Sequence, residues 1–154
     1  MIWVLLKSVI KARKAGLMRL RPATQPTRLD CLAAACAKCC NTLGSPRVTP
    51  QEAQAIGPEH LCRIGDAIFT QSQGSTCSLL REGLCGIYPY RPSGCREYPW
   101  YNIHGQLYYD SGCPGIKYDL DERPQVGSIQ PWENFFPHTG SIGRWILSKI
   151  CLVR

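Results

Sequence analysis

The positions of the cysteines constrain this chain more than any other feature of its sequence. Ten of its 154 residues are cysteine. Seven of them form two groups, one dense and one more widely spaced: Cys31, Cys36, Cys39 and Cys40, then Cys77, Cys85 and Cys95. A Cys-x2-Cys step lets two thiolates turn toward one soft cation, and a distant second group can complete its coordination shell. The chain is therefore expected to fold around a metal ion or an iron–sulfur cluster.

Disulfide bonding is the other explanation for so many cysteines. It requires an oxidising compartment, which proteins normally reach with a signal peptide. The apolar run at residues 1–6 ends at Lys7, and no signal-peptide cleavage motif follows it. No segment approaches the roughly 18 consecutive apolar residues of a transmembrane helix. These observations favour metal ligation in the reducing cytoplasm and predict no transmembrane segment.

The basic residues are unevenly distributed along a chain of net charge +7. Seven of the 18 Lys and Arg residues precede the first acid, Asp30, and the other eleven are matched by the eleven Asp and Glu residues. The excess charge therefore belongs to residues 1–28, which we interpret as a basic amphipathic arm. A cysteine-cluster metal-binding domain is expected at residues 29–120, and a tail with a closing helix at residues 121–154.

Three roles are open for the basic arm. Its apolar residues recur at near-helical spacing: Ile2, Leu5, Leu6, Val9 and Ile10. A helix that packs on the rest of the protein is the simplest interpretation. The arm also suits contact with a protein partner or with an anionic surface. An acid-free N-terminus with arginines is, in addition, typical of an organellar targeting segment.

The composition, with 12 prolines and 14 glycines, predicts short elements. We expect one small, irregular α+β domain with short helices and a hairpin, stapled by a cysteine-bound metal or cluster. The clearest helix start is the capping box at Thr49-Pro50-Gln51-Glu52, and this helix should stop at Gly57-Pro58. A second short helix followed by a polar loop is expected between Arg63 and Thr76.

Two further elements are predicted nearer the C-terminus. Residues 100–110 have the pattern of a hairpin that turns at His104-Gly105, and residues 112–115 have that of a tight turn. The aromatic residues of this region are most simply core residues. A closing helix is expected from Ser141, with these apolar residues on one face: Ile142, Trp145, Ile146, Ile150 and Val153.

Eight cysteines are candidate metal ligands, more than the four that a zinc ion or a four-iron cluster needs. The first choices are Cys36, Cys39, Cys77, Cys85 and Cys95, and the next are Cys40, Cys31 and Cys113. The surplus indicates two metals, or additional redox-active or structural cysteines. The adjacent side chains of Cys39 and Cys40 are expected to diverge, so that one ligates and the other supports it, bridges, or serves a second metal. Cys62 and Cys151 stand alone in helix-like contexts and are interpreted as small buried hydrophobes.

Arg91 and Arg96 flank Cys95 and are candidate cofactor-binding residues. A guanidinium beside thiolates offsets buried negative charge and lowers a cysteine pKa, although exposed loop arginines explain the same pattern. The three histidines, His60, His104 and His138, lack zinc-finger spacing and are not expected to ligate. No catalytic residue is predicted, because the sequence supports no Ser–His–Asp or paired-carboxylate arrangement.

Three segments resemble the CxxCxxCC zinc- or iron-chelating family, the YkgJ-type cysteine-cluster proteins. They are residues 31–53, which carry the first cysteine group, residues 77–99, and the Cys-Pro-Gly-Ile turn at 113–116. The second segment has the motif Cys-x7-Cys-Gly-Ile-Tyr-x2-Arg-Pro-x2-Cys-Arg-x-Tyr-Pro. The resemblance covers roughly residues 31–116 and implies a metal or iron–sulfur centre. It implies no particular reaction.

Several functions remain compatible with the sequence. The leading hypothesis is a metal-binding protein that holds an iron–sulfur cluster of the 4Fe-4S kind, or zinc, and serves a redox or cluster-related role. A structural zinc module acting as an interaction protein is the alternative. Flagellin lysine N-methylases resemble the family in their cysteine region, so an accessory or catalytic part of a cluster-dependent methyltransferase is a further alternative. Nucleic-acid binding is disfavoured, because the bases and the aromatic residues occupy different segments.

Overall fold

The structure is a computed structural model that describes residues 2–135 and 140–152. Over these residues the chain alternates short helices with short antiparallel strands, which confirms the predicted α+β class. The chain divides into two compact units. Unit 1 consists of Met1–Cys31 and Glu97–Arg154, and unit 2 consists of Leu32–Arg96. The predicted boundaries of arm, cysteine domain and tail stay a prediction.

The described residues form α-helices and β-strands of two to thirteen residues. The helices are α1 (Ile2–Lys14), α2 (Cys31–Ala34), α3 (Lys38–Thr42), α4 (Pro50–Ile56), α5 (Ser93–Glu97) and α6 (Gly140–Cys151). The strands are β1 (Leu20–Pro22), β2 (Arg28–Leu29), β3 (Arg47–Val48), β4 (Leu61–Ile64), β5 (Ala67–Thr70), β6 (Ser72–Gln73), β7 (Thr76–Cys77), β8 (Leu80–Arg81), β9 (Leu84–Cys85), β10 (Trp100–Ile103), β11 (Gln106–Asp110) and β12 (Ile116–Lys117).

Unit 1 is built on an antiparallel sheet in the order β1–β11–β10. The hairpin β10–β11 confirms the prediction for residues 100–110, with Trp100 opposite Tyr109 and Ile103 opposite Gln106. His104 and Gly105 form its two-residue turn with φ angles of 51° and 78°. Such a turn needs two left-handed residues, which a glycine adopts without cost. A second small sheet pairs β2 with β12.

The core of unit 1 joins helix α1 to this sheet. Its buried residues include Val9 and Ala12 of α1, and the whole cluster is Val9, Ala12, Leu17, Met18, Leu20, Tyr101, Ile103, Trp132 and Cys151. The interpretation of the basic arm as a helix packed on the protein is therefore confirmed. Trp100, Tyr101 and Tyr109 are also buried, as expected of core aromatics.

Asp110 is a fully buried carboxylate that fixes the connection after α1 to the end of β11. Its oxygens accept hydrogen bonds from the backbone N–H groups of Met18 at 2.6 Å and Arg19 at 3.0 Å. They also accept from the backbone N–H of Gly112 at 2.9 Å and from the Tyr98 hydroxyl at 3.1 Å. Four donors compensate the cost of burying this charge.

Helix α6 confirms the predicted closing helix, although Val153 lies outside the described residues. Cys151 near its end is fully buried in the core of unit 1, which agrees with its interpretation as a small hydrophobe. In contrast, Ile142, Trp145 and Ile146 are exposed. No helix among the described residues combines the length and apolar character that crossing a membrane requires.

Unit 2 contains a three-stranded antiparallel sheet in the order β3–β5–β4, followed by the short pairs β6–β7 and β8–β9. The predicted helix and polar loop between Arg63 and Thr76 are wrong, since these residues lie in β4, β5, β6 and β7. Gly65 adopts a φ of 59° and permits the tight turn between β4 and β5. Ile68, Phe69 and Thr70 then extend as a β-branched and aromatic strand.

Helix α4 starts and ends where the sequence predicts. The Thr49 side chain accepts a hydrogen bond from the Glu52 backbone, and the Glu52 carboxylate accepts one from the Thr49 backbone, so both halves of the capping box are present. Gly57 ends the helix with a φ of 95°. Ile56 packs into the small core of unit 2, which consists of Val48, Ile56, Ile68, Leu79 and Ile87.

We expect Gly112→Ala to destabilise unit 1. A Cβ at Gly112 would overlap the backbone oxygen of Gly16 and would lie 3.1 Å from Asp110 Oδ1. The loss should be about 2 kcal/mol or more, because backbone atoms must move. The matched control is Gly127→Ala, whose added Cβ meets nothing within 4 Å and should change stability by less than about 0.5 kcal/mol. Thermal unfolding measures both, and equal midpoints would contradict the close approach of Gly16 and Gly112.

Candidate metal centre

Four cysteine side chains from separate elements of unit 2 gather in one region. They are Cys39 of α3, Cys77 of β7, Cys85 of β9 and Cys95 of α5. The thiols of Cys39, Cys77 and Cys85 act electrostatically on Cys95, and Cys39 and Cys77 act on Cys85. All four are partly buried and in the thiol form. The first and second cysteine groups of the sequence therefore meet in the fold.

Cys95 and Cys85 resist deprotonation. Burial, together with the neighbouring thiols of Cys39, Cys77 and Cys85, raises the pKa of Cys95 to about 12. Burial also raises the pKa of Cys85, and the nearby Cys77 and Cys39 add to this effect. Each additional thiolate would bring negative charge into a partly desolvated region that already holds other thiolates. A bound cation would reverse this cost, because thiolates bind soft metals in place of protons.

Cys40 lies against Cys39 rather than diverging from it. A hydrogen bond with the Cys40 side chain is the main reason that the pKa of Cys39 is raised, followed by burial. The expectation that the two side chains diverge is therefore wrong, because both thiols of the short helix α3 approach each other. Which of the two cysteines ligates a metal stays a prediction.

Two short hairpins place Cys77 and Cys85 at the edge of the unit 2 core. Cys77 pairs with Ser72 across β6–β7, and Cys85 pairs with Leu80 across β8–β9. Both cysteines pack against the buried apolar cluster of this unit. The Cys77 sulfur also lies 3.8 Å from the Thr70 hydroxyl. Because strand pairing and core packing hold both residues, their thiols are positioned without a metal.

Glu52 links the capping box of α4 to the helix that carries Cys95. Its Oε2 accepts a hydrogen bond from the Thr49 backbone at 2.8 Å, and its Oε1 accepts one from the Ser93 backbone at 2.7 Å. Oε1 also pairs with the Arg96 guanidinium at 3.4 Å. One carboxylate thus caps α4 and fixes the first residue of α5, so Glu52 is more than the simple helix cap that the sequence suggested.

Cys36 lies in the turn between α2 and α3. Ala35 and Ala37 on either side of it adopt left-handed φ angles of 41° and 44°. Non-glycine residues pay of the order of 1 kcal/mol each for this conformation. Two such residues around one cysteine mark a backbone that is held in an unfavourable shape in this turn. The role of Cys36 as a ligand stays a prediction.

Arg91 lies beside the thiols, as its position in the sequence suggested. Its charge opposes the raised pKa values of both Cys85 and Cys95. The guanidinium carbon stacks 3.8 Å from the centroid of the Tyr88 ring. Among the described residues the buried Nε–H of Arg91 has no hydrogen-bond acceptor. Such an orphaned donor is costly and suits an anionic acceptor at this place.

The contacts of Arg96 indicate a structural role rather than cofactor binding. Its guanidinium is half-exposed and donates to the Arg91 carbonyl at 2.6 Å as well as pairing with Glu52. These contacts tie together the two ends of the segment that carries Cys95. These contacts explain Arg96 as a residue that stabilises the fold, and its role in cofactor binding stays a prediction.

The remaining candidates lie elsewhere. Cys31 and Cys113 belong to unit 1, with Cys113 in the tight turn where its N–H bonds to the Asp110 carbonyl at 3.1 Å. Cys62 lies in β4, not in a helix, and its thiol donates to the Thr70 carbonyl at 3.8 Å. Of the histidines, His60 Nε2 lies 3.8 Å from Glu59 Oε1, and His104 Nδ1 lies 3.5 Å from Glu133 Oε1. His138 lies outside the described residues.

The donor chemistry fits a soft cation. Within residues 2–135 and 140–152, no three Cys, His, Asp or Glu side chains already stand together as a formed metal site. The four thiols are gathered in one region, and the binding of a metal would draw them closer together. An all-sulfur set of four suits tetrahedral zinc or an iron–sulfur cluster. The orphaned Arg91 donor fits the negative charge that such a centre carries.

The gathered thiols define a class of protein that chelates zinc or iron through cysteine. The chain belongs to the CxxCxxCC family, whose model, described as "Putative zinc- or iron-chelating domain", matches residues 30–114, more than half of the chain. The resemblance predicted from the cysteine motifs is thereby confirmed. The comparisons with curated proteins and with solved structures gave no match.

We expect Glu52→Gln to weaken the support of α5 in a pH-dependent way. Burial alone would raise the pKa of Glu52, but the backbone N–H groups of Thr49 and Ser93 outweigh it and lower the pKa below 4.5. The stabilisation is thus complete above the ordinary value and is lost as the pH falls through the lowered one. The variant should lose roughly 1–2 kcal/mol at neutral pH.

Chemical denaturation across an acidic pH series measures this effect. The difference in unfolding free energy between wild type and Glu52→Gln should shrink as the pH falls below about 4.5. Glu82→Gln, at an exposed position in the same unit, is the matched control and should follow the wild-type profile. A difference for Glu52→Gln that is constant with pH would show that its charge does not support the fold.

Proposed function

We propose that this chain is a metal-binding protein that holds an iron–sulfur cluster through Cys39, Cys77, Cys85 and Cys95. Membership of a zinc- or iron-chelating family supports the binding of one of these metals. The single observation that carries the proposal is the convergence of four partly buried thiols from separate elements of unit 2. When bound, a cluster would supply one-electron redox chemistry.

The protein residues around the centre have definable tasks. The hairpins that carry Cys77 and Cys85 provide two sulfurs at fixed positions on the core edge. Helix α3 provides Cys39, with Cys40 as its thiol partner and Cys36 as a further candidate ligand. Arg91 compensates thiolate charge, and Arg96 braces the segment that carries Cys95. Cys31 and Cys113 remain proposed additional ligands.

Structural zinc is the second candidate. Four thiols are the complete ligand set of a closed structural zinc site. Unit 2 also has a small core of five buried apolar residues, so a metal staple would contribute much of its folding free energy. In this case the protein would be an interaction module, with the basic arm contacting a protein partner or an anionic surface. Reduced cysteines in either case suit the cytoplasm as the compartment.

Cys85→Ser and Cys95→Ser are expected to abolish metal binding and to destabilise unit 2 by several kcal/mol, because binding energy here is folding energy. Iron, zinc and acid-labile sulfide are measured on protein purified without oxygen, with its visible spectrum. Stoichiometric iron and sulfide would support the cluster, and zinc without colour would support the structural module.

Cys62→Ser is the matched control for these variants. Cys62 is a partly buried cysteine of the same unit, in β4, and its thiol contacts a backbone carbonyl. It should retain the metal content of the wild type. Wild-type metal content and stability in both Cys85→Ser and Cys95→Ser would contradict the assignment of these ligands.

Arg91→Met is expected to weaken metal binding while keeping most of the side-chain volume. Removing a positive charge beside Cys85 and Cys95 makes their thiolates less favourable. The apparent affinity, measured by competition with a chelator, should fall by about tenfold or more. For a bound cluster, the reduction potential should become more negative. Arg63→Met, at an exposed position of β4, should leave both values unchanged, and an unchanged Arg91→Met would refute the role of Arg91.

A further inference from the structure

We propose that unit 1 binds anionic phospholipid surfaces through the outward faces of α1 and α6. This surface belongs to unit 1, whereas the four thiols belong to unit 2, so the proposal goes beyond the metal-binding function and stands or falls independently of it. The sequence suggested an anionic surface for the basic arm alone. The structure adds a second helix with the same surface chemistry.

Helix α1 has an inward and an outward face. Leu6, Val9 and Ala12 follow helical spacing and pack into the core of unit 1. On the outward side, the Trp3 side chain is 71% exposed, and Ile10 is exposed as well. Lys7 and Lys14 complete this side at the same spacing. The helix therefore presents large apolar side chains and lysines to solvent after its packing requirement has been met.

Helix α6 repeats this arrangement. Ile142 is 74% exposed and Trp145 is 59% exposed, with Ile146 and Lys149 also exposed. These residues recur at three- and four-residue steps and form one stripe along the helix. Buried Cys151 belongs to the same core cluster as Val9 and Ala12 of α1. Both helices thus cover one core and turn apolar, lysine-bearing stripes outward.

The charge of the two helices indicates which kind of partner their outward faces bind. Helix α1 contains four Lys and Arg residues, helix α6 contains two, and neither contains an acid. The Lys149 ammonium lies 5.8 Å from the centroid of the Trp145 ring. Trp and aliphatic side chains accompanied by lysines are the composition of helices that lie in a lipid headgroup region. Each lysine near an anionic leaflet adds favourable electrostatic energy.

A protein or a nucleic acid fits these faces less well. The central part of a protein interface is depleted in lysine, whereas lysines alternate with the apolar residues on the outward side of α1 and one lysine, Lys149, follows them on α6. Nucleic acid would use the lysines but would leave the exposed Ile142 and Ile146 without an apolar environment. Since no described helix has the length and apolar character of a membrane span, the expected mode is attachment to the surface of the bilayer.

Vesicle sedimentation with the full chain tests the proposal. Vesicles of an equal mixture of phosphatidylcholine and phosphatidylglycerol should bind the protein, and binding should weaken as salt is added. Vesicles of phosphatidylcholine alone should bind it at least about tenfold more weakly. Absence of binding to the anionic vesicles, or equal binding to both kinds, would overturn the proposal.

The double variant Ile142→Gln/Trp145→Gln should weaken binding to the anionic vesicles by at least about tenfold, because it removes the apolar contact. Lys7→Gln and Lys14→Gln should each weaken it by about fivefold. These side chains are exposed, so circular dichroism should show an unchanged fold. The matched control is Ile64→Gln, which alters an isoleucine of 69% exposure in unit 2 and should bind as the wild type does. Equal binding by the control and the double variant would refute the surface.

Tryptophan fluorescence gives a second readout. Trp3 and Trp145 are exposed, whereas Trp100 and Trp132 are buried. Addition of anionic vesicles should shift the emission to shorter wavelength, and Trp145→Phe should reduce this shift. Sedimentation velocity without lipid examines the competing occupant, a second copy of the chain. A wild-type dimer that Ile142→Gln/Trp145→Gln converts to monomers would overturn the proposal and assign the faces to self-association.

Discussion

The gathering of Cys39, Cys77, Cys85 and Cys95 is the constraint on which the proposed metal centre of unit 2 depends. These four cysteines come from separate elements, and Cys77 and Cys85 pack against a core of only five buried apolar residues. Burial and the neighbouring cysteines raise the pKa of Cys85 and of Cys95, so these two thiols resist ionisation. A soft metal would displace the protons and connect helix α3, the two short hairpins and helix α5. The same atoms would then provide both the binding site and a large part of the stability of the unit.

The elements around the thiols explain how so short a segment can position them. Backbone pairing fixes Cys77 and Cys85, while the Glu52 carboxylate fixes the start of the helix that carries Cys95. Arg91 contributes a partly buried positive charge that favours the thiolates of Cys85 and Cys95 without being a ligand. Its unpaired Nε–H is a cost to the fold that an anionic centre would remove. The binding of an anionic centre would therefore also increase the stability of the fold.

The sequence predicted those features that depend on local patterns. The capping box of α4, the hairpin at residues 100–110 and the closing helix follow from residue types at fixed spacing, and the structure confirms them. The predicted helix after Arg63 is wrong, because a hairpin turn at Gly65 and strand pairing decided that segment. The contact of Cys40 with Cys39 and the bond from Ser93 to Glu52 depend on tertiary geometry, which spacing does not encode. The exposure of the apolar face of α6 could not be predicted either. Periodicity shows that apolar residues share one face of a helix, but it does not show whether that face is buried or exposed.

X-ray absorption spectroscopy at the metal edge, on the full chain purified without oxygen, tests the central claim most directly. The account predicts an all-sulfur first coordination shell. Cys39, Cys77, Cys85 and Cys95 would supply all four sulfurs at about 2.3 Å if the metal is zinc, and would share the shell with bridging sulfide if the centre is an iron–sulfur cluster. An iron centre would add iron–iron scattering and thereby identify a cluster. A first shell dominated by nitrogen or oxygen, or a shell that keeps all its protein sulfurs when Cys95 is replaced by serine, would contradict it.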